Sequence, residues 1–268
     1  MAEGGKGPAF IEVSELTVKF PLEDRVVHAL EDVSFSIAEN EFVALIGPSG
    51  CGKTTILNVL AGVVAPTHAA RLALGGRPLD AVPRGTVGYV FQDPILLPWR
   101  TIAENVRLPL EVLGLETPDY DRRVEELLAM VGLTAFARGY PKQLSGGMKQ
   151  RAGIARGLVF NPSLLLMDEP FGALDEITRT NLNTWLQDIW LKTQKTVLLV
   201  THNVLEAVFL ADKVIVMAAN PGRIKEVLPV NLPRPRTLEM FSRPAFVEEA
   251  AIIRESLHRE AGAPEGMP

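Results

Sequence analysis

The sequence predicts an α/β protein: a mostly parallel sheet, an N-terminal antiparallel β subdomain and an inserted α-helical subdomain. Three observations predict it. Phe42–Ile46, Leu164–Met167 and Val197–Val200 are apolar throughout, the mark of strands buried on both faces of a parallel sheet. Leu16, Val18, Phe20 and then Val33, Phe35, Ile37 alternate with polar residues, as strands with one wet face do. Between about 93 and 160 strand signals vanish and helical spacing takes over.

The elements follow in order. After the two alternating strands comes the buried run Phe42–Ile46. Thr101-Ile-Ala-Glu104 has the form of a capping box, so a helix is expected to start there and to kink at Pro109. A second helix fits 118–131, with Val124, Leu127, Leu128 and Val131 on one face and Gly132 as its stop. Trp185 and Trp190 belong to a further helix, where core or dimer surface is their expected place. Lys213–Met217 and Arg223–Val227 read as a hairpin turning at Asn220-Pro-Gly222. Beyond Leu232 come Pro233-Arg-Pro-Arg236, an amphipathic stretch over 244–258, and an end from Gly262 to Pro268 expected to fray.

Composition narrows the class. The chain has 268 residues, 47% hydrophobic and 22% charged, which excludes a disordered or fibrous protein. A net charge of −5 argues against nucleic acid as a partner. No apolar run reaches the ~18 residues of a spanning helix, and Met1–Pro8 lacks the apolar core of a signal peptide. The single cysteine, Cys51, suits a reducing compartment. A soluble cytoplasmic chain is expected.

Directly after the buried strand stands Gly47-Pro48-Ser49-Gly50-Cys51-Gly52-Lys53-Thr54, a full G-x-x-x-x-G-K-[ST] match, followed by Thr55. Small residues let successive backbone N–H groups converge on phosphate oxygens, and the helix starting near Lys53 aims its positive end at them. Lys53 supplies a mobile charge for the terminal phosphates, and the Thr54 hydroxyl can ligate Mg²⁺. Cys51, near a helix N-terminus and Lys53, is expected to have an acidified thiol. Asp168 and Glu169 end the apolar run Leu164–Met167: Asp168 suits Mg²⁺, and Glu169 can polarise an attacking water.

Leu144-Ser145-Gly146-Gly147-Met-Lys-Gln150, at a helix start, resembles the signature of the ATP-binding cassette ATPases. Other motifs of that family occur in order over roughly residues 10–230. Phe20 resembles the aromatic that stacks on adenine, and Gln92 the loop glutamine that senses Mg²⁺ and the γ-phosphate. Asp175 resembles the aspartate that contacts the opposite subunit, and His202 the switch histidine beside the γ-phosphate. The resemblance implies a RecA-like P-loop NTPase core over 10–232, with a helical subdomain at about 93–160 and a C-terminal helical extension over 233–268. It also implies ATP and Mg²⁺ as cofactors, Glu169, His202 and Gln92 as catalytic residues, and Thr54, Gln92 and Asp168 at the metal. Each ATP is then expected between the phosphate loop of one copy and Ser145-Gly146-Gly147 of a second, in a homodimer.

Phe91–Thr101, Leu166–Asp175 and Leu232–Arg236 resemble importer cassettes of the nitrate, sulfonate and taurine group. That likeness implies an ATPase peripheral to the cytoplasmic face of the inner membrane. Its partners are integral membrane permease subunits and, indirectly, an extracytoplasmic solute-binding protein. An exporter subunit and a soluble non-transport cassette are the alternatives. Ile95–Trp99 falls where family cassettes receive a permease helix, so an exposed aromatic there is expected to anchor docking. Three departures from the family pattern stand out. His68-Ala-Ala70 replaces a Ser-Gly turn, Asn203 stands where Asp is frequent, and Gly157 interrupts the helix after the signature. Gly153 and Gly157 share a face, where close packing is expected to offset the cost of glycine.

Overall fold

A computed structural model describes residues 9–22, 24–115 and 118–259. The expected fraying of 262–268 therefore lies outside the described residues. The chain divides into two compact units. One holds the residues up to Ala81 together with those from Leu199 onward, and the other holds Val82–Leu198.

In the first unit, β1 (Ala9–Pro21) and β2 (Val26–Ala38) pair antiparallel. Of the alternating residues Leu16, Val18, Val33, Phe35 and Ile37 are buried as expected, whereas Phe20, near the end of β1, is exposed. β3 (Phe42–Ile46) is buried at every residue and leads through the phosphate loop into α1 (Lys53–Leu60). β4 (Arg71–Leu74) and the two-residue β5 (Arg77–Pro78) complete a four-stranded antiparallel sheet in the order β2-β1-β4-β5.

The second unit opens on β6 (Val87–Val90), then α2 (Ile102–Leu113), α3 (Pro118–Met130) and α4 (Gly146–Leu158). β7 (Leu164–Asp168) lies parallel to β6, with Val90 opposite Met167. α5 (Glu176–Thr193) follows. The Thr101 side chain accepts from Glu104 N, and the Glu104 carboxylate accepts from Thr101 N, so the capping box forms. Pro109 lies inside α2, which continues to Leu113 and stops at Gly114 in a left-handed conformation. Val124, Leu127, Leu128 and Val131 are buried together. Trp190 is buried and donates through its ring nitrogen to Lys195 O at 2.8 Å, whereas the Trp185 ring carries the Arg151 guanidinium at 5.5 Å.

The crowding expected of the small residues on α4 is present. A methyl group on Gly153 would meet Pro94 Cβ at 3.3 Å, and one on Gly157 would meet Val90 Cγ2 at 3.2 Å.

β8 (Thr196–Val200) carries the chain back to the first unit, where α6 (Val204–Leu210), β9 (Lys213–Ala218), β10 (Arg223–Pro229) and α7 (Pro244–His258) follow. β9 runs parallel to β3 and antiparallel to β10, so the hairpin and the mixed sheet form as expected. Among the described residues no helix is long and apolar enough to cross a membrane.

Candidate functional site

The phosphate loop sits where two kinds of crowding meet. A Cβ on Gly47 would lie 2.8 Å from Cys51 Sγ and 2.9 Å from Met217 O. Gly52, with φ +90°, would clash with Leu30 Cδ2 at 2.5 Å. Both positions therefore admit only glycine. Gly50, with φ +76°, faces open space, and Pro48 and Ser49 are exposed beside it. No side chain caps the first turn of α1, which leaves its amides to an anion. Lys53 is buried, and its Nζ donates to Gly47 O at 2.8 Å and Pro48 O at 2.9 Å. Thr54 is exposed and Thr55 half-buried at the same helix end.

The expectation of an acidified Cys51 is corrected. The thiol is buried, and burial pushes its pKa up despite the opposing charge of Lys53. Removing the thiolate from water outweighs one nearby ammonium.

His202 shares the first unit with this loop. Thr201 N donates to Leu45 O at 3.2 Å, so the histidine emerges beside the strand end that delivers Gly47. His202 is exposed. Asn203, the departure noted above, caps α6: its Oδ1 accepts from Glu206 N at 3.1 Å. Phe20, 38% exposed, stands near the end of β1 opposite Val27. Two residues earlier, Val18 pairs with Leu30, the residue that crowds Gly52.

The second unit gathers the other candidates. Glu169 follows β7 with φ +43°, a strained backbone for a non-glycine residue. A methyl on Gly172 would lie 3.2 Å from Glu169 Oε2 and 3.6 Å from Gln92 Nε2, so those two side chains converge on one point. Asp168 accepts from the Tyr89 hydroxyl at 3.5 Å. Burial and the neighbouring Asp168 charge push the Tyr89 phenol up, so it stays a donor at neutral pH. Ser145 caps α4 by accepting from Met148 N at 3.4 Å. Gly146 and Gly147 are closely packed: methyls there would meet Leu174 at 3.1 Å and Thr178 at 3.2 Å. Asp175 caps α5 through Thr178 N at 2.9 Å, and that donated bond holds its carboxyl below the usual range.

Four residues that the sequence reading missed hold these loops. Gln150 Nε2 donates to Gln92 O at 2.6 Å, and Arg156 donates to Pro94 O at 2.5 Å and Ile95 O at 2.8 Å. Buried Asn105 binds Leu97 N, Leu97 O and Arg100 O. The loop from Gln92 to Thr101 is thus tied to α4 and α2 while Trp99 stays 72% exposed. Arg179 donates to the carbonyls of Phe171 and Leu174, fixing the turn between Glu169 and Asp175. Gln150 closes the signature string, but nothing in that string marks its bond to Gln92 O, and the other three act on backbone groups through contacts that have no sequence pattern.

Among the described residues no group of three His, Cys, Asp or Glu forms a metal cage. Thr54 in the first unit, and Gln92 and Asp168 in the second, instead carry hard oxygen atoms of the kind Mg²⁺ takes, an ion that keeps water and substrate phosphate in most of its coordination positions.

Known proteins resemble this chain. The family model described as "ABC transporter" matches residues 30–172. An uncharacterized ABC transporter ATP-binding protein, MJ0412 of Methanocaldococcus jannaschii, is 46% identical over 84% of both chains. The taurine import ATP-binding protein TauB of Rhizobium johnstonii is 45% identical over 87% of this chain and 90% of its own. Among solved structures, the dimeric ATP-binding cassette MJ0796 in a post-hydrolysis state with ADP and Pi superposes with a TM-score of 0.72. It is 31% identical, and the match covers 83% of this chain and all of that one. With the model spanning more than half of the sequence and these relatives spanning most of it, the chain belongs to the ABC transporter family and is one of its ATP-hydrolysing cassettes.

Proposed function

We propose that the chain is the ATPase subunit of a bacterial importer for a small solute of the nitrate, sulfonate and taurine group, energising uptake through a separate permease. The observation that carries the reading is the presence of two helix N-termini built for phosphate on one chain, at Gly52–Lys53 and at Ser145–Gly146. The likeness to taurine import proteins supports the direction of transport and the solute class. Exposed Trp99, on a loop held from α2 and α4, suits a docking anchor for the permease.

In this reading Phe20 stacks on adenine, the amides of 47–55 cradle the phosphates, and Lys53 swings from its carbonyl partners to the terminal phosphates. Thr54, Gln92 and Asp168 would hold Mg²⁺, which neutralises phosphate charge when bound. Glu169 accepts a proton from the attacking water, and His202 orients that water against the γ-phosphate. Ser145, Gly146 and Gly147 of a second copy close over the same nucleotide, with Asp175 at the contact between copies. ATP closes the pair and hydrolysis reopens it, and the permease alternates with that cycle at the inner membrane's cytoplasmic face. A solute-binding protein outside would deliver the cargo.

The test is Glu169→Gln. This variant is expected to bind ATP, lose turnover by roughly 10²–10⁴-fold and elute from a sizing column as a nucleotide-loaded dimer. Wild-type turnover would remove Glu169 as the base.

A further inference from the structure

The stretch Pro233-Arg-Pro-Arg236 has no part in the site as described, yet Arg236 is 2% exposed. Its guanidinium donates to Val208 O and Ala211 O, both at 2.7 Å, and to Leu232 O at 3.2 Å. Arg234 donates to Leu210 O and, through Nε, to Asp212 Oδ1 at 3.1 Å. Val208, Leu210 and Ala211 form the last turn and cap of α6, where carbonyls lack donors within the helix. Two cations therefore close the negative end of a seven-residue helix too short to stand on its own ladder. Burial lowers Arg236 to about 10, so it remains charged at neutral pH.

The opposite end of α6 carries the switch histidine. Thr201 donates its hydroxyl to the Glu206 carboxylate, and Asn203 N donates to Thr201 Oγ1 at 3.0 Å. Asn203 also caps the helix through Glu206 N, so both neighbours of His202 are fixed to the first turn. Asp212, the partner of Arg234, also accepts from Phe42 N at 3.0 Å, at the start of the strand that ends in the phosphate loop. Both arginines thus grip the C-terminal turn of α6, and Arg234 also reaches the start of β3 through Asp212.

We propose that Arg234 and Arg236 are positioning residues for His202: by closing the C-terminal turn of α6 they hold that helix, and with it the histidine, in register with the phosphate loop. The proposal rests on the reading that His202 acts at the γ-phosphate, and the test separates the two. ATPase kinetics of the full chain are measured for wild type, Arg236→Met, His202→Ala and the double variant. Arg236→Met is expected to lower kcat about tenfold with KM within about twofold. In the His202→Ala background the same change is expected to cost less than about twofold, because its effect passes through the missing imidazole. Arg236→Lys, which keeps a donor, is expected to recover part of the loss. If Arg236→Met does not fold, Arg236→Lys and Arg234→Met are read in the same cycle, with the same coupling expected. Full kcat in the arginine variants, or equal losses in both backgrounds, overturns the clamp. Wild-type turnover in His202→Ala overturns the histidine reading and the clamp with it.

Discussion

Cys51 shows how position and environment pull a side chain in opposite directions. A helix N-terminus and Lys53 both favour a thiolate, but the packing of Gly47 against Cys51 Sγ leaves the sulfur without water. Desolvation therefore wins, and the pKa lies above the ordinary 9.0. Alkylation is expected to be slower than that of an exposed thiol at pH 7 to 8, to go on rising with pH beyond the point where a free thiol levels off, and to slow further with ATP. A rate at neutral pH equal to that of a free thiol would contradict the burial argument. The linkage has a definite sign. The folded pKa is raised, so the contribution to stability is complete below the unfolded value. It is lost as pH climbs toward the folded value, and urea unfolding is expected at lower denaturant above pH 9 than at pH 8.

At the scale of elements, legibility tracked burial. The bounds of β3 follow from its continuous apolar run alone, whereas β7 and β8 each add one polar residue, Asp168 and Thr196, to theirs. β4, β5 and β6 went unread, because four residues or fewer carry too little periodicity and Gly88 interrupts β6. That glycine is there for contact: a methyl on it would lie 2.4 Å from Gly157 O, a backbone atom that cannot step aside, and 3.0 Å from Pro162 Cγ. Gly88→Ala is expected to destabilise by about 1–3 kcal/mol in urea melts, and unchanged stability would refute the packing. The start of α2 was legible because its cap is local in sequence. Thr101→Ala is expected to cost about 1 kcal/mol, seen as a lower unfolding midpoint at unchanged slope. An unmoved midpoint would mean that the cap contributes nothing.

For the molecule as a whole, the candidate site residues stand out in the sequence more than the residues that hold their loops. Gly47–Thr55, Asp168-Glu169 and Ser145–Gly147 are contiguous strings that spacing alone picks out as candidates. Gln150 and Arg156 reach backbone carbonyls about sixty residues away, Asn105 and Arg179 reach carbonyls one or two turns away, and in none of the four does the sequence mark the carbonyl that is bound. The same asymmetry explains the C-terminal arginines, which were visible as a motif but silent about α6. The central claim concerns two copies, each supplying what the other lacks: the phosphate loop from one and the signature helix from its partner. It is tested most directly by ATPase activity per chain over a dilution series that crosses from dimer to monomer, with oligomeric state followed by light scattering. Activity per chain is expected to fall in proportion to the dimer fraction and to vanish in the monomer. A strictly monomeric sample that hydrolyses ATP at the full rate per chain would contradict it.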